Sequence, residues 1–305
     1  MVEKLEVRYL TVDAQHQGRR IDNYLIGILG KIPKSRVYSM LRSGEVRVNG
    51  GRARPDRRLN DGDRLRIPPV YLTASTSNPE NQEFPAPILY EDDSLMIVDK
   101  PAGLSVHAGT AVAYGLIERA RAARPENQYL ELVHRLDRET SGCLMLAKEP
   151  RRLRALHRLL RAGDIRKRYL TLVAGRWPGV TVVKRSLRRR GGGPQAKMTV
   201  SDDGMRAESH FASSKEFKRA TFMEVELFSG RTHQIRVHAA VEGHPIAGDS
   251  RYGERDFNRD LRRRGLRRLF LHASTIVVPD DVGGEQILVS STLPTDLRNI
   301  LEVLD

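Results

Sequence analysis

The sequence predicts an α+β fold in two parts: a small N-terminal domain, then a larger one built on a mixed, largely antiparallel sheet. Three observations lead there. Helix-like and strand-like runs mix without the regular strand–helix–strand beat of a parallel α/β protein. A polar stretch, YLTASTSNPENQEFPA at 71–86, has few apolar anchors and divides the chain unequally. The 305 residues, 39% of them hydrophobic, suffice for one large core and a smaller one. The expected parts are a first domain at 12–71, a linker at 72–86 and a second domain at 87–305.

In the first domain, GRRIDNYLIGILG predicts a short helix with Ile21, Leu25 and Ile28 or Leu29 on one face and Gly30 as its stop. Pro33 opens a second helix through KSRVYSMLRS, with Val37, Tyr38 and Leu41 inward and Gly44 at its end. EVRVNG alternates like a strand and runs into an Asn49-Gly50 turn, and DRLRIPP supplies another strand. In the second domain, PILYEDDSLMIVDKP reads as a hairpin turning at Asp92-Asp93, and SGCLMLAK as a buried strand. PRRLRALHRLLRAGD is a basic helix with Leu153, Leu156, Leu159 and Leu160 facing in, stopped near Gly163. RKRYLTLVAGRW, ATFMEVELF and RLFLHASTIVV are further strands. Thr232 is the expected cap of a helix HQIRVHAAVEG that stops at Gly243.

Charge narrows the class of partner. The formal net charge is +14, and residues 11–70 hold 13 Lys and Arg against 6 Asp and Glu, half of the excess in a fifth of the chain. A localised basic face draws in polyanions by counterion release, and nucleic acid fits better than a membrane surface, since no long basic amphipathic helix with Trp or Phe on its apolar face stands out. Cys143 is the only cysteine, which excludes an internal disulfide, and its apolar surroundings mark it as structural. No apolar run has the length of a signal peptide or of a membrane span, so a cytoplasmic protein is expected. The phosphate loop GxxxxGK[ST] and the metalloprotease HExxH are missing, and His233 and His238 are five apart, wrong for one helix face, so no metal site is expected. Gly191–Gly193, beside Arg188, Arg189 and Arg190, reads as a mobile loop able to touch nucleic acid. The eight arginines of RYGERDFNRDLRRRGLRRL are either a solvated face or phosphate contacts.

HRLDRETSG at 134–142 carries the chemistry. Asp137 stands among His134, Arg135 and Arg138 in a polar turn between the apolar runs LELV and CLMLAK. Functional residues commonly occupy loops on such scaffolds. Nearby positive charge favours an ionised carboxylate, available as nucleophile or base. The residues alone favour the plainer reading, a surface ion pair.

The order GRRID, SRVYSMLRSGEVRVNG, GDRLRI resembles the S4 RNA-binding domain. HRLDRETSG is similar to the HRLDxxTSG signature of the RluA-type family of pseudouridine synthases and matches it at every defined position. Lys167-Arg168-Tyr169 followed by LTLV looks like that family's KxYLALV, and GRTHQIRVH at 230–238 matches a third element in full. The resemblance spans about residues 87–300. It implies isomerisation of uridine to pseudouridine in RNA, with no cofactor. The implied substrate is 23S ribosomal RNA or a large-subunit precursor; a monomer is the default expectation. By resemblance Asp137 is the catalytic carboxylate, as nucleophile or as proton acceptor. Arg236 would pair with it. Tyr169 would stack on the target uracil and could act in proton removal at C5. Ile235 would help exclude water, and Arg135 would fill the gap left by the flipped base. Arg36, Arg42, Arg47 and Arg189 are candidate RNA contacts. His134, Thr140, Ser141, His233 and His238 read as structural, and Arg231 has no assigned role. The rivals are a non-catalytic ribosome-assembly factor, a synthase acting on other rRNA or tRNA uridines, and a uracil-releasing glycosylase. The last needs an activated water, and no second carboxylate stands out beside Asp137.

Overall fold

The structure is a computed structural model that describes residues 3–4, 7–29, 32, 34–69, 71–72, 84–107, 114–127, 129–179, 181–192, 196–279 and 286–304. The chain separates into two compact units, Met1–Glu83 with His107–Glu118, and Phe84–Val106 with Arg119–Asp305. The stretch His107–Glu118 thus groups with the first unit, although the sequence places it in the second domain. Residues 73–83 of the expected linker lie outside the described residues, as do Gly30 and Pro33.

The first unit holds β1 (Glu3–Lys4), β2 (Arg8–Thr11), α1 (Ile21–Ile28), α2 (Lys34–Ser43), β3 (Arg47–Val48), β4 (Gly51–Arg52), β5 (Arg64–Ile67) and β6 (Tyr71–Leu72). Strands run antiparallel in the order β2-β5-β3-β4, and β1 pairs with β6. β2 pairs along the whole of β5, so the sheet begins at Arg8, ahead of the boundary expected at residue 12. Asn49 (φ 51°) and Gly50 (φ 80°) are both left-handed, the geometry of a two-residue hairpin turn that matches strand twist. Ile21, Leu25, Val37, Met40 and Leu41 of the helices pack with Val48, Leu65 and Ile67 of the sheet. Each such burial contributes about 1.5–3 kcal/mol relative to exposure. Tyr38, expected inward, is half-buried because its hydroxyl donates to the buried carboxylate of Asp22, which also pairs with Arg20.

In chain order, the remaining elements are β7 (Ile88–Glu91), β8 (Leu95–Lys100), α3 (Leu116–Ala123), β9 (Glu131–Leu132), β10 (Ser141–Ala147) and α4 (Pro150–Ala162). Next come β11 (Arg166–Ala174), β12 (Thr181–Lys184), β13 (Leu187–Arg190), β14 (Lys197–Val200), β15 (Glu208–Glu216) and β16 (Ala220–Leu227). The chain ends with α5 (Gln234–Val241), α6 (Arg255–Arg263), β17 (Leu271–Val278), β18 (Ile287–Ser290) and α7 (Thr295–Glu302). Among the described residues, the second unit forms a ten-stranded sheet in the order β12-β15-β16-β11-β17-β10-β8-β7, with β18 on β17 and β9 on β10. β10 and β17 run parallel and the other pairings are antiparallel, so the sheet is mixed.

β10 is the buried centre, with all seven residues out of solvent. α4 packs Leu156 into a core with Cys143, Met145, Leu95 and Ile97, and burial pushes the Cys143 thiol up to about 12, inert at neutral pH. A second core gathers Leu172 and Phe270 with Phe257 and Leu261 of α6 and Leu297 and Ile300 of α7. The pairing of β11 with β17 skips a register between Arg168 and Leu170, so two residues of β17, Ala273 and Ser274, stand opposite Tyr169. Such a bulge re-aims a side chain. It also drives the Ala273 carbonyl at β10: a Cβ on Gly142 (φ 107°) would lie 2.2 Å from that oxygen. Glycine is therefore required in the TSG of HRLDRETSG.

Arg188, Arg189 and Arg190 lie on β13, hydrogen-bonded to β14, and Gly191 and Gly192 follow directly. Gly193 lies outside the described residues. The arginine-rich stretch forms α6 and its flank, where Arg259, Arg264 and Arg268 pair with Asp256, Asp260 and Asp296.

Candidate active site

Asp137 sits in the loop joining β9 to β10. Leu132 pairs with Leu146 across these strands, so both ends of the loop are tied to the core, as the apolar flanks suggested. The Thr140 amide donates to the Asp137 carbonyl at 3.1 Å and closes a turn. His134 Nε2 accepts the Met145 amide at 3.2 Å, and burial drops its pKa to about 3, so it is neutral and able to accept. Lys100, fully buried at the end of β8, donates to the carbonyls of Pro101, Leu104 and Arg138 at 2.9, 2.9 and 3.1 Å. Arg138 in turn donates to the Gly103 carbonyl at 2.9 Å, and Arg135 is exposed. The arginines adjacent to Asp137 in sequence are therefore not its described partners.

Its partner comes from α5. Arg236 Nη1 donates to Asp137 Oδ2 at 3.0 Å, while its Nε and Nη2 grip Asp249 at 2.8 and 2.9 Å. Asp249 is buried, and its Oδ1 also accepts the amides of Arg251 and Tyr252 at 2.8 and 3.0 Å. Burial alone would discharge both members of this pair. The hydrogen bonds and charges between them outweigh it, holding the Arg236 pKa above and the Asp249 pKa below its ordinary value. An anchored bidentate fork gives Arg236 one orientation, with its remaining nitrogen aimed at Asp137. Asp249 is thus a second carboxylate at the site, one that the sequence reading missed.

The start of α5 also departs from expectation. The N-cap is His233, left-handed at φ 56°, and not Thr232, whose branched Cβ suits that backbone poorly. No side chain caps the helix. Instead Gln234 folds back: its Oε1 accepts from Ser229 Oγ and the Arg231 amide, and its Nε2 donates to Glu208 and Ser209 of β15. His233, expected to be structural, points Nε2 at Asp137 Oδ2, 3.7 Å away. Tyr252 Oη accepts the Met198 amide at 2.9 Å, so its proton is free to go to His233 Nδ1, also at 2.9 Å. That sequence of donors leaves the His233 proton on Nε2, facing Asp137. Burial lowers the His233 pKa and favours this neutral form. The Tyr252 ring also lies 5.2 Å from the Arg236 guanidinium.

Asp137, Arg236, Tyr169, Ile235 and Arg135 all line one pocket of about 60 Å³, whose apolar side adds Leu136, Leu227 and Leu271. Tyr169 is buried, and burial, reinforced by the charge of Asp137, pushes its phenol pKa up. His238 is buried and bonded to Ser209 and the Arg185 carbonyl, as a structural histidine would be. Arg231 donates to the Arg206 carbonyl. The other RNA-contact candidates are not among its lining residues: Arg36 pairs with Glu45, Arg42 is exposed on α2, Arg47 donates to the Gly50 carbonyl, and Arg189 is on β13. Among the described residues no cluster of His, Cys, Asp and Glu could hold a metal ion, and no helix is long and apolar enough to cross a membrane.

One aimed carboxylate beside a tyrosine ring, in a pocket with one apolar wall, suits nucleophilic or proton-transfer chemistry on a flat uncharged ring. Comparison with known proteins supplies the family. The profile described as "RNA pseudouridylate synthase" matches residues 94–241. The "Ribosomal large subunit pseudouridine synthase C" of Haemophilus influenzae is 42% identical, the match covering 98% of this chain and 95% of that one. Its namesake in Escherichia coli is 41% identical over 99% and 98%. The solved structure "Human RNA Pseudouridylate Synthase Domain Containing 4" has the same fold, with a TM-score of 0.59 at 24% identity over 72% of this chain and 92% of that one. The chain belongs to the RNA pseudouridylate synthase family, isomerases that turn uridine into pseudouridine within RNA.

Proposed function

We propose that this enzyme acts on 23S ribosomal RNA or its large-subunit precursor, as a cytoplasmic monomer needing no cofactor. The first unit is read as an S4-like RNA-binding domain, its basic helices and hairpin contacting phosphates through Arg36, Arg42 and Arg47, with Arg189 as a further contact. A domain at about 12–71 joined through 72–86 to a catalytic domain at 87–305 would raise the effective concentration of the active site at the RNA. The names of the bacterial relatives support the large-subunit substrate.

The observation that carries the catalytic reading is Arg236, clamped by buried Asp249 and donating to one oxygen of Asp137. Only Oδ2 of Asp137 is engaged, which leaves Oδ1 to react. Asp137 attacks the sugar or base, or removes a sugar proton, as the bond from N1 to C1′ breaks. The uracil turns within the pocket, C5 bonds to C1′, and the C5 proton leaves. The raised pKa of Tyr169 makes its phenolate a costly base, so its ring, as a stacking wall, is the part in use. Ile235 and Leu136 exclude the water that would otherwise release the base. Arg135, exposed at the mouth, takes the place of the extruded nucleotide.

The test is tritium release from 23S rRNA transcribed with 5-tritiated uridine. Wild type should release tritium, and Asp137→Asn should release none while binding RNA within a few fold. Substantial turnover by the mutant would remove Asp137 from the chemistry.

A further inference from the structure

Beyond Arg135, Tyr169, Leu227, Gly230 and Arg231, which line both spaces, the catalytic pocket gives onto an open chamber of about 1030 Å³. Its walls are of two kinds. Arg135, Arg161, Lys167, Arg206 and Arg231 carry positive charge. Among the described residues none of the five forms an ion pair, whereas the chamber's Lys184 and Glu208 are already joined at 3.3 Å. Lys167 stands out. It is 6% exposed, on β11 two residues from Tyr169, and no described group accepts a hydrogen bond from it. Burial alone lowers its pKa to about 8. An ammonium held mostly out of water at the chamber wall without a counter-charge is costly, and a phosphate supplies the missing partner. The second kind of wall is apolar and aromatic: Leu160, His157 and Phe228, a residue 40% exposed although its ring rests on His210, 4.2 Å between centroids. Unpaired cations beside an exposed aromatic face are what the phosphate and base of a single-stranded nucleotide need.

We propose that this chamber is a second nucleotide subsite, so that a nucleotide next to the target uridine leaves the stack with it. Its phosphate meets Lys167, Arg161 and Arg206, and its base lies against Phe228 and Leu160. The inference rests on the RNA-modifying reading above and adds a condition to it. The preferred substrate presents two consecutive splayed nucleotides, as loops and weakly paired bulges do and continuous helices do not.

The experiment uses the shortest 23S rRNA fragment from which wild type releases tritium, with 2-aminopurine placed at either neighbour of the target and, as a control, three nucleotides away. The full-length Asp137→Asn protein binds it without turnover. Fluorescence should change at one neighbour and not at the control position. Phe228→Ala should suppress that change and weaken binding by about tenfold. Lys167→Met should lower the slope of log K against log salt by about 0.7, one single-strand phosphate contact. Arg161→Gln, at an exposed position, should do the same and guards against misfolding of the lysine variant. Tritium release by wild type with no change at either neighbour, or a change that all three variants retain, overturns the subsite and leaves the proposed function standing. If no fragment supports release, both fall.

Discussion

Three side chains, Asp137, Arg236 and Asp249, form a chain of charge in which the middle member is shared unequally. Asp249 takes two of the Arg236 nitrogens and Asp137 takes one. Asp249 is the more deeply buried, its side chain fully out of solvent against 18% exposure for Asp137. Removing Asp249 leaves a buried guanidinium short of charge, so Asp249→Ala should cost about 3–5 kcal/mol in stability. It should also slow tritium release, because Arg236 then swings towards Asp137 and occupies both carboxylate oxygens. Arg236→Lys keeps the charge but loses the fork, and should reduce turnover more than stability. Urea unfolding and tritium release, run side by side, measure both; an Asp249→Ala protein with unchanged midpoint and rate would refute the anchoring role. The sequence made Asp137 legible through its motif but not its partners' geometry. Arg135 and Arg138 stand near it in sequence without pairing with it, while Arg236 reaches it from 99 residues away. Asp249 had no local mark, since one aspartate in GDSRYG looks like any turn residue until Arg236 is placed against it.

At the scale of elements, apolar runs were readable and polar ones were not. SGCLMLAK and RKRYLTLVAGRW announce β10 and β11 because their burial is apolar. β15, ESHFASSKE, sits inside the same sheet, yet its buried Ser209 is kept there by Gln234 and His238, an arrangement no periodicity discloses. The start of α5 was misread for a similar reason, as Gln234 does by tertiary hydrogen bonds what a capping Thr would do locally. The bulge on β17 was invisible as well, although it links the two halves of the site. It stands opposite Tyr169 and presses on Gly142, five residues from Asp137. Gly142→Ala therefore meets a backbone oxygen that cannot rotate aside, at a φ that alanine rarely adopts. We expect a stability loss above about 3 kcal/mol, beyond the usual range for one methyl group, with tritium release falling in whatever folds. A soluble, fully active Gly142→Ala protein with the wild-type urea midpoint would show that β10 and β17 can separate freely, contrary to the geometry.

For the whole molecule, buried titratable groups set the response to pH, and their signs place maximum stability on the alkaline side. His134, His233, His238 and His272 have folded pKa values below 6.5 because burial disfavours their charged forms. The unfolded chain then binds more protons, and stability falls as pH drops below 6.5. Lys100 and Lys167 are lowered from 10.5 to about 8 by burial, so between those values the unfolded chain again holds protons that the folded one has released. Stability rises with pH through that window, by up to about 1.4 kcal/mol per unit for each lysine. Cys143 and Tyr169 act oppositely: burial raises their folded pKa values above 9.0 and 10.0, so folding loses stability once the unfolded groups ionise. The expected profile has a decline below 6.5, a plateau to about 8, a rise from there to roughly 9, and a fall above 10. Ordinary domains peak between about 5 and 8. Urea midpoints measured from pH 5 to 10.5 check the shape, and Lys100→Met supplies the control. Whatever its absolute stability, its slope between 8 and 9 should be about half that of wild type, since one of the two lysines remains. A wild-type maximum near pH 6, or an alkaline rise that survives replacement of both lysines, would mean that these ammonium groups reach water in the folded protein.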